Sequence, residues 1–441
     1  MKNQLGCFLL LAFSASATEK MTARQLIGMA QNPAPAVFRE ALVASVPEAG
    51  LKAGTAALSD RGQVLFVVDS ASAPQLALDD AAPVAMRHID GSHLWFAVAP
   101  LKAGRGHAFY YVVDGKRMGG TTNVPSFGPD SYLKPGVPTG KLSEKHVITS
   151  KIFDGMQSDY WTYTPAQYDP AKPAALMVWN DGQQFINRDS TSIRLLEVID
   201  NLTYEKKLPV IVWVFTMPGI ATMAEGTPFY QAVQKVAKAD TQAARTSALR
   251  GVEYETVSDR YARFLRDELM PEVQANFNIR NDAYSRAIAG LSSGAQGAFT
   301  AAWEQPEQFS RVLAWVTPFG ASQWQPGVQD GANVFPFLIR REPKKNLRIW
   351  LQDGSDDLEN PNGSVPFQNL QVANSLKLKE YDFHLSFGVG GHSPMQGSAE
   401  FPESLTWVWR GYDSAKTQDT YGMDEAEKTK PVFRVRIFNR E

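Results

Sequence analysis

Cysteine is nearly absent from this chain: Cys7 is the single one in 441 residues. The remainder therefore has no disulfide framework, no thiol nucleophile and no zinc-thiolate site. Charge of one sign is not in excess either, since 44 Lys and Arg against 46 Asp and Glu leave a net charge of −2. With no basic run, neither a nucleic-acid footprint nor a landing patch for anionic membranes is expected. No apolar run is long enough to span a bilayer. There is no His-Glu-x-x-His, no Cys/His cluster and no phosphate-binding Gly-rich loop, so the reading requires no metal and no cofactor. Histidine is scarce too, at six residues, which narrows the choice of a general base.

What is present divides the chain. Its length suggests two domains, and 44% hydrophobic residues suffice for a proper core in each. Lys2, an apolar run from Leu5 to Phe13 and Ala15-Ser16-Ala17 form the pattern of a secretory signal peptide over 1–17. A periplasmic or secreted protein without cysteine is the expectation. Residues 18–35 read as a mobile leader. Over 36–134 the texture is β, with strands at Val64–Asp69, Ser92–Val98 and Ala108–Val113 before an Asp114-Gly115 turn. That predicts a small antiparallel sandwich with no helix. Thr121–Gly140 is rich in Pro, Gly, Ser and Thr and reads as a connection.

From 145 to 412 strands and helices alternate, which predicts a mostly parallel sheet with helices on both faces. Ala175–Trp179 and Val210–Phe215 are continuous apolar runs, as strands covered on both sides are. Val257, Tyr261, Phe264, Leu265 and Leu269 share one face of a helix expected over 257–277. The insert at 219–250 follows a strand and is a candidate lid. The polar tail, 413–441, ends in an alternating stretch at 431–438.

The centre of this second domain is Gly290-Leu291-Ser292-Ser293-Gly294. A buried strand precedes it and an Ala-rich helix follows, the context in which Gly-x-Ser-x-Gly lifts a serine hydroxyl above the sheet. A serine needs a base, and that base needs an orienting acid. Three of the histidines, His88, His93 and His107, lie in the β domain, His146 precedes the second domain's first strand, and His384 lies within a strand. His392 sits on a Gly-rich loop just after that strand, and by elimination it is the base. The acid falls between serine and histidine, in Gln352-Asp353-Gly354-Ser355-Asp356-Asp357. Asp357 is preferred and Asp356 is second, with Glu359 an outside alternative. Backbone donors for an oxyanion are expected from Ser293 and from the loop carrying Gly182 and Gln183, with Asp181 in a structural turn.

Asp159–Pro165, Asn180-Asp181-Gly182, Pro218-Gly219, Arg250–Glu255, Gly290–Gly294, Gln352–Asp357 and Gly391-His392-Ser393 occur in the order found in the putative esterase family of the α/β-hydrolase fold. The chain resembles that family over roughly 145–412. The family includes enterochelin (siderophore) esterases, feruloyl and acetyl-xylan esterases, and thioesterase-like members. The front domain resembles the immunoglobulin-like modules that precede such esterases. Two departures stand out: Ala295 where relatives usually carry a second Gly, and the length of the 219–250 insert. The resemblance implies a serine ester hydrolase acting through an acyl-enzyme on a small-molecule or carbohydrate ester, feruloyl or acetyl. Siderophore trilactone hydrolysis, acyl transfer to a sugar, and a non-catalytic binding protein are the alternatives. Trp95, Phe96, Tyr110 and Tyr111 are either core residues of the front domain or a platform for sugar stacking.

Overall fold

A sheet of nine strands carries the second half of the chain. In chain order these are β1 (Lys141–Leu142), β2 (His146–Thr149), β3 (Gln157–Thr164), β4 (Ala175–Asn180), β5 (Ile211–Thr216), β6 (Arg286–Leu291), β7 (Arg311–Trp315), β8 (Arg348–Asp356) and β9 (Asp382–Gly391). Across the sheet the order is β2-β3-β5-β4-β6-β7-β8-β9, with β1 on β3. Pairing is antiparallel up to β3–β5 and parallel from β5 to β9. This is the mostly parallel sheet expected from the alternation, in the α/β-hydrolase fold that the family resemblance implies. The computed structural model describes residues 20–79, 81–190, 192–219, 231 and 242–430, with backbone only over 242–248. Residues 1–17, read from sequence as a signal peptide, most of the candidate lid at 219–250, and the stretch 431–438 lie outside the described residues.

Every residue of β4, β5, β6 and β7 is buried, because alternate side chains enter different cores. Val178, Val212, Val214, Ile288 and Val312 belong to one cluster. Met177, Trp179, Trp213, Phe215, Leu313 and Trp315 belong to the other. Helices α1 (Leu195–Tyr204) and α5 (Phe401–Trp409) contribute to the second cluster. The first receives α2 (Gln242–Glu255), α3 (Ser293–Glu304) and α4 (Val365–Leu378). The helix expected over 257–277 is present in three parts. Arg260–Phe264 and Met270–Gln274 are α-helical, and Leu265–Leu269 between them is a π turn. Pro271 has no N–H to give to the preceding turn, which accounts for the widened stretch before it. Tyr261, Phe264, Leu265 and Leu269 are nonetheless all buried together.

The chain divides into two units, Met1–Pro100 with Phe109–Gly120, and Leu101–Ala108 with Thr121–Glu441. The first unit differs from the expectation of a leader followed by an all-β domain over 36–134. Its described part opens with three helices, Ala23–Gln31, Pro35–Ser45 and Glu48–Ala53. Thr22 and Gln25 form a reciprocal capping box, and Pro35, read as the end of a leader, is instead the first residue of a helix. These helices bury Leu26, Ile27, Phe38 and Leu42 against Leu65, Val67 and Phe96. The expected antiparallel strands form two four-stranded sheets. One holds Ala56–Asp60, Gln63–Asp69, Leu94–Pro100 and Arg87–His88; the other holds Val84–Ala85, Gln75–Leu78, Arg105–Val113 and Lys116–Ser126. Phe96 and Tyr111 are core residues. Trp95 donates to the Ser70 carbonyl (3.0 Å) and Tyr110 lies under Arg117 (4.4 Å).

The second core is strongly aromatic. Trp179 and Trp315 meet edge-on at 5.3 Å, and Phe401 stands 4.7 Å from Trp315. Trp179→Ala should therefore lower the unfolding free energy by about 3–5 kcal/mol. The urea midpoint measures this; a shift worth less than about 1 kcal/mol would contradict the packing described.

Candidate active site

Ser292 stands between the end of β6 and the start of α3 with φ 57° and ψ −131°. Few residues other than glycine adopt such a backbone, and the surroundings must hold it there. A Cβ at Gly290 would come within 2.4 Å of the Gly294 backbone, and one at Gly294 within 2.5 Å of Asp181 Oδ2. Both glycines are thus required by close approach. The Ser292 N–H donates to the Trp315 carbonyl (3.0 Å), while its own carbonyl accepts from Ala295 and Gln296 at the head of α3 (2.9 and 3.1 Å). Ala295 is fully buried, so the extra methyl at this position is accommodated in the core.

Ser292, His392 and Asp357 come from three loops at the C-terminal edge of the parallel sheet. His392 Nε2 is 2.7 Å from Ser292 Oγ, and His392 Nδ1 is 2.6 Å from Asp357 Oδ1. The Asp357 side chain is wholly buried. A bulge between Gly354 and Asp356 interrupts the β8–β9 pairing just before these loops. Gly354 is needed there, because a Cβ would stand 2.1 Å from the Gly390 carbonyl oxygen. Asp356, the second choice, is exposed and accepts from Thr122 Oγ1 (2.7 Å). Glu359 is exposed in a two-residue strand. His384 stacks on Trp350 at 4.2 Å, a packing role.

The oxyanion donors named from sequence fall into two groups. Ser293 begins α3, where the N–H has no carbonyl of a preceding turn to bond, and it lines the cavity that holds Ser292 and His392. Gly182 and Gln183 belong to a short 3₁₀ turn after β4 and are not among that cavity's described lining residues. Gly182 is needed for packing, since a Cβ would meet the Phe215 backbone at 2.6 Å. Asp181 has φ 56°, the turn role expected of it. The loop is held on α3 by Asn180, whose Nδ2 donates to the Gly294 carbonyl (2.9 Å) and whose Oδ1 accepts from Tyr261 (2.7 Å).

Sequence reasoning gave no individual roles to Arg250 and Glu255, and read Asp353, one of three acid candidates, as part of the strand end and Gly turn. Arg250 donates twice to Asp181 (3.0 and 2.6 Å) and once to Ser293 Oγ (2.8 Å). Ser293 Oγ in turn donates to Glu255 Oε1 (2.5 Å). The side chain next to Ser292 is therefore fixed by charges from α2, which no periodic pattern flags. Asp353 is fully buried at the end of β8, with Oδ1 accepting from the Gly354 N–H (2.8 Å). Its Oδ2 and the Asp357 Oδ2 are both buried without a partner when read as bare carboxylates. Burial, and then the Asp357 carboxylate beside it, push Asp353 up to about 9. At neutral pH it is a neutral acid with a proton to offer Asp357.

A carboxyl group raised in the folded state keeps a proton that the unfolded chain releases above about pH 4. Its contribution to stability therefore falls as pH rises from about 4 to about 9. The urea midpoint of the wild type should decline more steeply between pH 5 and pH 9 than that of Asp353→Asn. Equal slopes would contradict the neutral form of Asp353.

The family model described as "Putative esterase" matches residues 157–394, more than half of the chain and spanning all three side chains of the Ser292–His392–Asp357 relay. No curated protein matches the sequence. Among solved structures, the chain is similar to the enterobactin esterase of Shigella flexneri (17% identity, 82% of this chain and 99% of that one, TM-score 0.49). It is also similar to the ferric enterobactin esterase of Salmonella typhimurium (15%, 81% and 97%, TM-score 0.49). A third is the feruloyl esterase module of Clostridium thermocellum (14%, 65% and 93%, TM-score 0.45). On the family match, this chain belongs to the esterase family of the α/β-hydrolase fold.

Proposed function

We propose that the protein is a secreted serine ester hydrolase that acts through an acyl-enzyme on small acyl or aryl esters of carbohydrates. The observation that carries the serine mechanism is the continuous relay of Ser292, His392 and Asp357, with links of 2.7 and 2.6 Å. Ser292 Oγ attacks the ester carbonyl carbon as its proton passes to His392 Nε2. Asp357 accepts the Nδ1–H, fixing the tautomer and stabilising the imidazolium. The oxyanion takes a hydrogen bond from the Ser293 N–H at the head of α3. His392 then returns its proton to the departing alcohol. Water, deprotonated by the same histidine, attacks the acyl-serine, and the carboxylic acid leaves with Ser292 restored.

The small volume of the cavity beside Ser292, about 170 Å³, supports a short acyl group or single ring in preference to a long hydrocarbon chain. Export rests on the sequence of residues 1–17, with its charged start, short apolar run and small-x-small site.

Hydrolysis of p-nitrophenyl acetate and methyl ferulate tests the proposal. Ser292→Ala should reduce kcat by at least about 10³-fold, and Asp357→Asn by about 10⁴-fold. Asp356→Asn should leave it nearly unchanged. Equal rates for wild type and Ser292→Ala would remove the nucleophile. Turnover of a ferric catecholate trilactone without aryl-ester turnover would replace the carbohydrate assignment.

A further inference from the structure

We propose that Glu255 makes the cavity beside Ser292 selective for esters that bring hydroxyl or ammonium donors into it, and against esters that bring a carboxylate, phosphate or catecholate. The inference rests on the ester-hydrolase reading and adds to it the residue and the chemistry that choose the substrate.

Glu255 is the last residue of α2 and lines the cavity together with Ser292 and His392. One of its oxygens is already hydrogen-bonded to Ser293 Oγ, which anchors the carboxylate beside the nucleophile. No cation is paired with it directly, although Arg250 lies close enough to attract it. The nearby cation Arg250 gives two N–H groups to Asp181 and a third to Ser293 Oγ. Asp181 thus offsets Arg250, and among the described residues no Lys or Arg forms an ion pair with Glu255. A second acceptor stands nearby. Gln368 spends its Nε2 on the Asn362 carbonyl (3.0 Å), leaving Oε1 buried without a partner. Ser322 Oγ, which can accept or donate, is also buried and unpartnered. Both line the cavity.

A cavity that holds a carboxylate and a buried amide oxygen with unfilled acceptor capacity gains from a ligand that supplies O–H or N–H groups to them. A hydroxyl placed against Glu255 makes a charge-assisted hydrogen bond, and an ammonium adds Coulomb attraction. An anion finds acceptors facing its own acceptors and the negative charge of Glu255. A sugar or polyol ester and an amino ester share the favoured chemistry.

Two ester series separate these cases, because either side of the ester can enter the cavity. One varies the acyl group on p-nitrophenol: acetate, glycolate, glycinate and succinate. The other varies the alcohol of an acetate: ethanol, glycerol, 2-aminoethanol and lactate. In the series that reaches the cavity, kcat/KM should rise about tenfold over the plain ester for hydroxyl or ammonium groups and fall about tenfold for the carboxylate. Glu255→Gln should bring the ammonium and carboxylate esters level while keeping the hydroxyl preference, and Glu255→Leu should remove both preferences. Rate ratios are the readout, since a merely structural role of Glu255 would lower all rates together and leave the ratios unmoved. Unmoved ratios in both series, or a wild-type preference for the carboxylate ester, would overturn the proposal alone. No hydrolysis of any ester by the wild type would overturn the ester-hydrolase reading beneath it.

Discussion

The turn at Ser292 exists because no Cβ stands at 290 or 294. Either would enter backbone or side-chain space at 2.4 to 2.5 Å, and α3 could not then back onto β6. Everything at the site follows from that approach. It forces a positive φ on Ser292 and directs its hydroxyl away from the sheet. It also opens α3 at Ser293, whose N–H is free of the helix ladder. The strain is borne by a core in which β4 to β7 are buried along their whole length. Such a turn is affordable only in a sheet that does not yield.

The charged residues around the turn contribute geometry more than stability. Asp181 and Arg250 form a largely buried pair, and the attraction in such a pair is mostly spent on desolvation. What the pair does is fix Arg250 so that it holds Ser293 Oγ, which fixes Glu255 in turn. Asp353 acts in the same way on the other side of the relay. As a neutral acid it places a donor next to the Asp357 carboxylate without adding a second charge. The acid and histidine loops are tied further by residues read from sequence as a connection: Thr122 holds Asp356, and Asn123 Oδ1 accepts from the Gly391 N–H (3.0 Å).

The parts legible in sequence were those encoded locally. Gly290–Gly294 carries its own geometric reason, and a parallel strand before each loop places His392 and the acid at one edge. The choice between Asp356 and Asp357 was not local. It depends on the bulge at Gly354/Asp356, which decides which of two adjacent carboxylates turns inward. The first unit's helices were missed because they are short and begin with signals read otherwise, above all Pro35 as linker when it starts a helix. Arg250 and Glu255 lie on a helix whose polar residues show no pattern, so only tertiary placement reveals their part. The π turn before Pro271 left the apolar face of its helix intact, which is why the periodicity remained readable through it.

The account turns on one nucleophile activated by one histidine. Treatment of the full-length protein with a phosphonate ester, followed by peptide mapping, tests that directly. A single adduct is expected on Ser292, absent from Ser292→Ala and forming far more slowly in a His392→Ala variant. An adduct on another residue, or equal labelling of the wild type and Ser292→Ala, would contradict it.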